Sequence, residues 1–356
     1  MKVLHVSGAN SWGGNEQQLF NLVTHLNQID NAIFGIENSP VEKHASKNQI
    51  PFFASKTPKL KSIKNISRFF EVIQQFKPEV IHLHTSCSLT LCFYASIYKS
   101  INPKVVFEKK GISNSSSFLS RLKYNSSSID HIVCVSNYVK HHFKSMLTNK
   151  NQQKLCVVND SFDLDFKEVD YHLSVDSSKF VVGNIANHSA AKDLDTFIEV
   201  ADELINKRKN SNIHFYQVGS FSKLTPLLQQ KIVDLNLSQH FSFLGSKEHA
   251  YNFNTLFDVF LLTSQREGGP TSLIEALYFE TNIISTRVGI AEEVIEDGLN
   301  GYLVHKKDHK KMADCIEKLQ QSPNMFLRKL SENKALVEQK FSSVRQAKAL
   351  KEIYKS

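Results

Sequence analysis

Cysteine is scarce and unpatterned in this chain. The five residues, Cys87, Cys92, Cys134, Cys156 and Cys315, are odd in number, scattered, and never spaced C-x-x-C. That argues against a disulfide frame and against a zinc site, and leaves reduced, mostly packed thiols as the expectation. Long apolar runs are missing as well. No window approaches the roughly 18 residues of a membrane span, and MKVLHV lacks the charged and apolar regions of a signal peptide, so a cytoplasmic location is expected. Without secretion, the sequons at Asn65, Asn114 and Asn125 carry little weight. Solenoid repeats are absent. The only biased patches are Ser-rich, SNSSS (113–117) and NSSS (125–128), and read as mobile turns flanking a short helix.

What is present is a chain of 356 residues, too long for one ordinary core and suited to two domains. The net charge of +8 admits nucleic acid, an anionic membrane surface or an anionic small substrate as partner. Nucleic acid is the least favoured, because the bases lack the interleaved aromatics of a stacking platform.

Short, continuous apolar runs alternate with helix-length stretches. In the first half they are KVLHV (2–6), VIHLH (80–84), KVVFE (104–108) and HIVCV (131–135), with a helical pattern over 16–26 after the first. Continuous runs suit strands covered on both faces, hence a parallel sheet. After KLCVVND (154–160) comes an irregular polar stretch, 161–179, read as a linker. The rhythm then restarts with FVVGNIA (180–186), a helix from about Asp193, IHFYQVG (213–219), FSFLG (241–245), DVFLL (258–262) and NIIST (282–286). The tail, about 342–354, places Val344, Ala347, Leu350 and Ile353 at three-residue intervals, and the resulting helix is expected to pack on the first domain. The domains are therefore set at 1–165 and 166–340, with a C-terminal helix at 341–356. Ligands in such folds sit at the carboxyl ends of strands, here in a cleft between two sets of them.

The stretch SQREGGPTSLIEAL (264–277) carries the chemistry. It follows a buried strand, so QREGG forms a carboxyl-end loop. Pro270 suits the first helical position, where its missing N–H is no loss. Gly268 and Gly269 let a ligand approach the backbone, and the helix start offers N–H groups and a positive dipole end that favour phosphate. Glu267 and Glu275 flank this turn as acceptor-only carboxylates, one for sugar hydroxyls and one for ribose hydroxyls. The competing reading is a surface acid in a turn and a helical glutamate paired with a lysine.

Here the chain resembles a known family. Residues 267–304, EGGPTSLIEALYFETNIISTRVGIAEEVIEDGLNGYLV, are similar to the nucleotide-sugar site of the retaining glycosyltransferases of family four, which have the GT-B fold. GGNE (13–16) matches the glycine-rich first loop, PEVIHLH (78–84) the fourth-strand signature, and CVSNYVK (134–140) with VVND (157–160) the end of the first domain. GNIANHSAAKDLDTFIEVADEL (183–204) matches the segment that supplies basic residues to the diphosphate. The E-x7-E segment is the specific part; the others are weak alone.

The resemblance implies an α/β protein of two Rossmann-like, doubly wound domains facing each other across a cleft. The first would bind the acceptor and the second the nucleotide sugar. It implies a metal-independent hexosyltransferase moving a sugar from a nucleoside diphosphate, UDP by preference, to a glycan or lipid-linked acceptor in cell-surface polysaccharide or lipopolysaccharide synthesis. No further cofactor is implied. Glu267 would hold donor-sugar hydroxyls, the backbone of Gly268, Gly269, Pro270 and Thr271 the diphosphate or sugar, and Glu275 the ribose. Lys192 would neutralise the diphosphate, and Gly13 and Gly14 would let the first loop close over it. A short helix at 291–296 would follow, with Glu292 and Glu293 facing solvent.

The chain departs from the family pattern in two places. Asn187 stands where an arginine usually precedes the lysine by five residues, and Lys110 stands where a histidine often follows the fifth strand. Either Lys110 or Lys109 supplies the lost charge across the cleft, or the two are a plain surface pair. These departures keep open a non-catalytic partner of another transferase, and a nucleotide-sugar epimerase of the same fold is a further alternative. His84 has two readings, an acceptor-orienting residue and a hydrogen-bonded structural histidine; His5 and His82 are core residues. DLD at 163–165 and 193–195 is not read as a metal motif, since one lies in the linker and the other opens a helix. Finally, Lys56, Lys59, Lys61, Lys64 and Arg68 fall within 55–70 with no acid among them. With Ile63, Ile66 and Phe70 along one helical face, the stretch reads as a helix lying on an anionic bilayer, or as a solvated basic helix.

Overall fold

The structure is a computed structural model that describes residues 1–112, 117–172 and 178–356, apart from the Arg328 side chain. Most of the Ser-rich turn at 113–117 and residues 173–177, near the end of the 161–179 stretch, therefore lie outside the described residues. The chain divides into two compact units, Met1–Ser161 with Ser343–Ser356, and Phe162–Ser342. The divisions at 161 and 343 compare with the expected 165 and 340.

Unit 1 is built on a seven-stranded, all-parallel sheet. Its strands are β1 (Lys2–Val6), β2 (Asp30–Gly35), β3 (Phe52–Ala54), β4 (Val80–Leu83), β5 (Lys104–Lys109), β6 (His131–Cys134) and β7 (Leu155–Val157), in the order β3-β2-β1-β4-β5-β6-β7. Both faces are covered, which is why the strands read as continuous apolar runs. Leu4, Val6, Ile81, Leu83, Val105 and Phe107 join one core with Phe69 and Leu89. Val3, Val80, Val106 and Val133 join another, closed by Ala347, Leu350 and Tyr354. The last three come from the helix Ser343–Lys355, so the C-terminal segment completes the first unit's core. Its buried stripe differs from the expected one: Val344 is exposed, and Gln346 and Tyr354 are buried.

Unit 2 repeats the plan with six parallel strands: β8 (Phe180–Ile185), β9 (Ile213–Val218), β10 (Phe241–Phe243), β11 (Val259–Leu262), β12 (Asn282–Thr286) and β13 (Tyr302–Val304). Their order is β10-β9-β8-β11-β12-β13. In each sheet the order reverses once, between β1 and β4 and between β8 and β11. Loops diverge at such a point and leave space at the strand carboxyl ends. Val259 and Phe260 of β11 stand beside Val182 and Gly183 of β8, so the loops that follow these two strands are neighbours.

The basic stretch requires a correction. Its helix begins only at Lys64 and runs Lys64–Phe76. Its apolar face is not free, because Ile66, Phe69 and Val72 are buried and Phe70 packs on the same core. Burying those rings in the domain's own core leaves only Ile63 of the three named apolar residues exposed. Lys56 and Arg68 both pair with Glu71, at 2.6 and 3.3 Å. All five cysteines are free thiols, and burial pushes Cys92 and Cys134 up to about 12. Among the described residues no helix is long and apolar enough to cross a membrane.

Candidate active site

In unit 2, β11 is followed by Thr263 and Ser264, both buried, and the loop turns into the helix Thr271–Tyr278. Pro270 stands one position before the expected one, as the N-cap residue in extended conformation. A proline cap has no side-chain oxygen to accept from the first turn, and none does. The amides of Thr271 and Ser272 therefore project from the helix end without an acceptor among the described residues. Such amides, aligned with the helix dipole, form an anion site.

The loop is fixed by its neighbours rather than by its own turn. Thr286 donates its hydroxyl to the Ser264 carbonyl at 2.7 Å, and Thr263 donates to the carbonyls of Lys192 and Asp193, each at 3.1 Å. The Gln265 amide donates to the Ala191 carbonyl at 2.8 Å, and its side chain to Asp193. Asp193 itself adopts the left-handed conformation at φ 49. The loops after β8 and β11 are thus sewn together, and this brings Lys192 onto Glu267. Lys192 Nζ lies 2.6 Å from Glu267 Oε1, which also accepts the Ser264 hydroxyl at 2.7 Å. Gly289, at φ +53, closes the same loop from the β12 side. A Cβ there would stand 2.5 Å from the Gly268 carbonyl oxygen, so only glycine allows the approach.

Glu275 lies one turn into the helix, half-buried, with no hydrogen bond or ion pair to a described residue. Burial pushes its carboxyl up to about 7, with the Lys192 charge pulling the other way. An unpaired, desolvated carboxylate gains strongly from hydroxyl donors. Asn187 is exposed and accepts the Ser220 amide at 2.9 Å, so it holds the loop after β9 instead of carrying a charge. Glu292 and Glu293 are exposed on the short helix Ala291–Val294.

Unit 1 holds a second polar constellation. Gly13 is the N-cap and Gly14 the first residue of the helix Gly14–His25. Glu16 in its first turn is pushed up by burial, against the backbone amides of Glu16 and Gly13 and the charge of Lys110. Lys110 Nζ lies 2.8 Å from Glu108 Oε1 and 2.5 Å from Asp160 Oδ1, with 11% of the side chain exposed. This corrects the surface-pair reading, since its ammonium is enclosed by two buried carboxylates. Burial lifts Asp160 to about 6, with Glu108 adding to the rise and Lys110 opposing it. Burial would lift Glu108 too, but Lys110 and His84 outweigh it and hold that carboxyl far down. Lys109 runs back to the Gly111 carbonyl and lies over the Phe143 ring. His84 takes the structural reading: Nδ1 meets Glu108 Oε2 at 2.8 Å and Nε2 meets His5 Nδ1 at 2.9 Å, which leaves neither nitrogen for an acceptor.

Sequence reasoning missed Glu108, Asp160, Ser264 and Gly289. Asp160 and Gly289 lay inside quoted motifs, VVND and RVGIAEEV. Ser264 and Glu108 also lay inside quoted stretches, SQREGGPTSLIEAL and KVVFE, but neither was assigned a role.

Comparison with known proteins agrees with this organisation. The family model for glycosyltransferase family 4 matches residues 12–166, and that for glycosyl transferases group 1 matches residues 165–337. An uncharacterized glycosyltransferase of Methanocaldococcus jannaschii is 25% identical, over 96% of this chain and 94% of its own. The capsular polysaccharide biosynthesis glycosyltransferase CapM of Staphylococcus aureus is 24% identical over 61% of this chain and 57% of its own. HepE of Anabaena, solved with UDP and glucose, superposes with a TM-score of 0.83 over 100% of this chain and 99% of its own. At 16% identity that is a likeness of fold. The chain therefore belongs to the glycosyltransferases, as a GT-B protein that joins a family 4 domain to a group 1 domain.

Proposed function

We propose that unit 2 binds a UDP-sugar and that the enzyme transfers the hexose, with retained configuration, to a glycan or lipid-linked acceptor of cell-surface polysaccharide or lipopolysaccharide synthesis. The observation that carries the donor assignment is the arrangement of Lys192, Glu267 and Glu275 about the uncapped start of the helix Thr271–Tyr278. Lys192 and the free amides take the diphosphate, Glu267 the sugar hydroxyls, and Glu275 the ribose hydroxyls. Gly13 and Gly14 would leave the first loop of unit 1 a bare backbone that a ligand can approach. The acceptor hydroxyl attacks the anomeric carbon on the face from which the diphosphate leaves. The bond from that carbon to phosphate oxygen breaks, the bond to acceptor oxygen forms, and a phosphate oxygen takes the proton. The protein contributes positioning and stabilisation of the leaving charge by amides and Lys192, so added Mg2+ or Mn2+ is expected not to stimulate the transfer. UDP in the HepE structure supports the base, and the function of CapM supports the acceptor class.

The lipid-linked acceptor reading includes contact with an anionic bilayer, now through a different surface from the buried face of the basic helix. Phe118, Leu119 and Leu122 are exposed on the helix Phe118–Tyr124, as are Ile63, Lys59, Lys61 and Lys64. Lys61 lies close enough to Lys123 for their charges to interact, so the bases and the apolar side chains share one region. Bases beside exposed apolar groups suit an anionic bilayer. Sedimentation with vesicles containing anionic lipid is expected to depend on both sets, and binding that is indifferent to them ends this reading.

The donor assignment is tested by slow hydrolysis of a panel of UDP-sugars without acceptor. Release of UDP from one sugar, lost in Glu275→Ala, supports it; release unaffected by that substitution refutes it. Formation of an isomerised UDP-sugar in the same reaction identifies an epimerase.

A further inference from the structure

Three histidines of unit 1, none of them used by the transfer, converge in the interior. His5 on β1 is register partner to His82 on β4, and His84 follows two residues on, just past the end of β4. One ring nitrogen from each lies within 4.8 Å of those of the other two, and all three residues are buried. We propose that they form a three-histidine site for a borderline divalent metal ion of the zinc type.

The outer partners of each ring carry the argument. Asn31 Oδ1 lies 3.1 Å from His5 Nε2, and the Asn31 amide is oriented by donating its Nδ2 to the Ile29 carbonyl at 3.1 Å. His5 Nε2 must therefore bear the proton, which leaves Nδ1 a bare lone pair. Glu108 Oε2, a carboxylate oxygen, likewise takes the Nδ1 proton of His84 and leaves Nε2 bare. These two nitrogens face each other at 2.9 Å, and two lone pairs at that distance require a cation between them. A shared proton could serve the pair, but it can bridge only two atoms. The third ring decides between the two cations. Tyr354 holds His82 Nδ1 at 2.7 Å, and His82 Nε2 is buried with no hydrogen-bond partner among the described residues. A metal ion accounts for all three nitrogens at once, and Asn31, Tyr354 and Glu108 then form the outer shell that orients ligating imidazoles. Neutral imidazole nitrogens suit zinc, and tetrahedral coordination at about 2.05 Å places ligand nitrogens about 3.3 Å apart. The His5–His84 pair must open by about 0.4 Å, and the His82 nitrogen must come to the same spacing from within 4.8 Å, adjustments that side-chain rotation supplies. Glu108 provides negative charge to the site, while Lys110 on its other oxygen is balanced by Asp160. Since Tyr354 lies on the C-terminal helix, the ion would clamp β1 and β4 and, through the outer shell, fasten that helix to the sheet. The role is structural and separate from sugar transfer.

The test uses the full-length, tag-free protein, stripped with chelator and reloaded with Zn2+ or Co2+. The expected result is one metal ion per chain after gel filtration, intense visible bands of tetrahedral Co2+, and a thermal midpoint raised by Zn2+. His82→Gln should abolish all three. Tyr354→Phe, which removes an outer partner and no ligand, should weaken the metal about 10- to 100-fold. The proposal is overturned if the wild-type protein retains no stoichiometric metal, if bound Co2+ lacks tetrahedral bands, or if His82→Gln binds as the wild type does. Should His82→Gln fail to fold, the wild-type Co2+ spectrum and the Tyr354→Phe affinity decide alone.

Discussion

If Glu275 holds the donor's ribose as proposed, donor binding should depend on pH in a way that can be worked out beforehand. Its carboxyl, ordinarily near 4.5, lies at about 7 in the folded protein, because burial disfavours the charge more than Lys192 restores it. Under the proposed assignment ribose hydroxyls donate to the ionised form, so a UDP-sugar would have to remove the proton to bind. Apparent affinity is then constant above the folded value and falls tenfold per pH unit below it. Between about pH 8 and about pH 5.5 the ionised fraction drops from about 0.9 to about 0.03, so Kd should rise about 30-fold. Titration calorimetry with a UDP-sugar measures this. UDP itself is unsuitable, since its terminal phosphate titrates near 6. Glu275→Gln should bind more weakly at neutral pH and show a flat profile. The sign for stability is opposite. With a raised folded pKa the native state holds more protons between 4.5 and about 7, so stability falls as pH rises through that window. Glu275→Gln removes that cost, at most about 3 kcal/mol for the full shift. A wild-type affinity that is flat with pH, or a slope that survives in Glu275→Gln, refutes the reasoning.

Other consequences are as direct. Gly289→Ala places a methyl group 2.5 Å from the Gly268 carbonyl at φ +53, so it should cost about 1–3 kcal/mol and displace the donor loop. Circular dichroism melts and UDP-sugar affinity check it, and unchanged values for both count against the loop packing described. Lys110→Ala leaves Glu108 and Asp160 buried without their cation, and loss of about 3–5 kcal/mol from unit 1 is expected in denaturant unfolding. A loss below about 1 kcal/mol would mean that water reaches the carboxylates. Replacing Phe118 and Leu122 with Ser should reduce vesicle binding without lowering thermal stability, because both side chains are exposed. A lower melting temperature would show that they pack on something instead.

Much of this fold is legible in the sequence because parallel strands buried on both faces leave continuous apolar runs. KVLHV, KVVFE, HIVCV and NIIST announce β1, β5, β6 and β12 almost to the residue. What escaped has physical reasons. β3 and β13 are three-residue edge strands, too short for a periodicity, and β2, DNAIFG, opens on two polar residues and ends on glycine. The basic helix was legible as amphipathic, but a helical pattern does not say whether its apolar face meets lipid or the protein's own core. In the site, the glycines, proline and two acids of 267–275 were legible as a local motif. The pairing of Lys192 with Glu267 was not, because it depends on β8 lying next to β11. The histidine cluster failed to show for the same reason: His5 and His82 are 77 residues apart and meet only through strand register.

Lys192 is proposed to answer the diphosphate and Glu267 the sugar, and calorimetric titration of UDP and a matched UDP-sugar into the wild type, Lys192→Ala and Glu267→Ala tests these roles most directly. Lys192→Ala should weaken both ligands by similar factors. Glu267→Ala, which releases Lys192 from its 2.6 Å pairing, should leave UDP as tight or tighter and weaken the UDP-sugar by about tenfold or more. Equal losses of both ligands in Glu267→Ala, or unchanged UDP binding in Lys192→Ala, would contradict them.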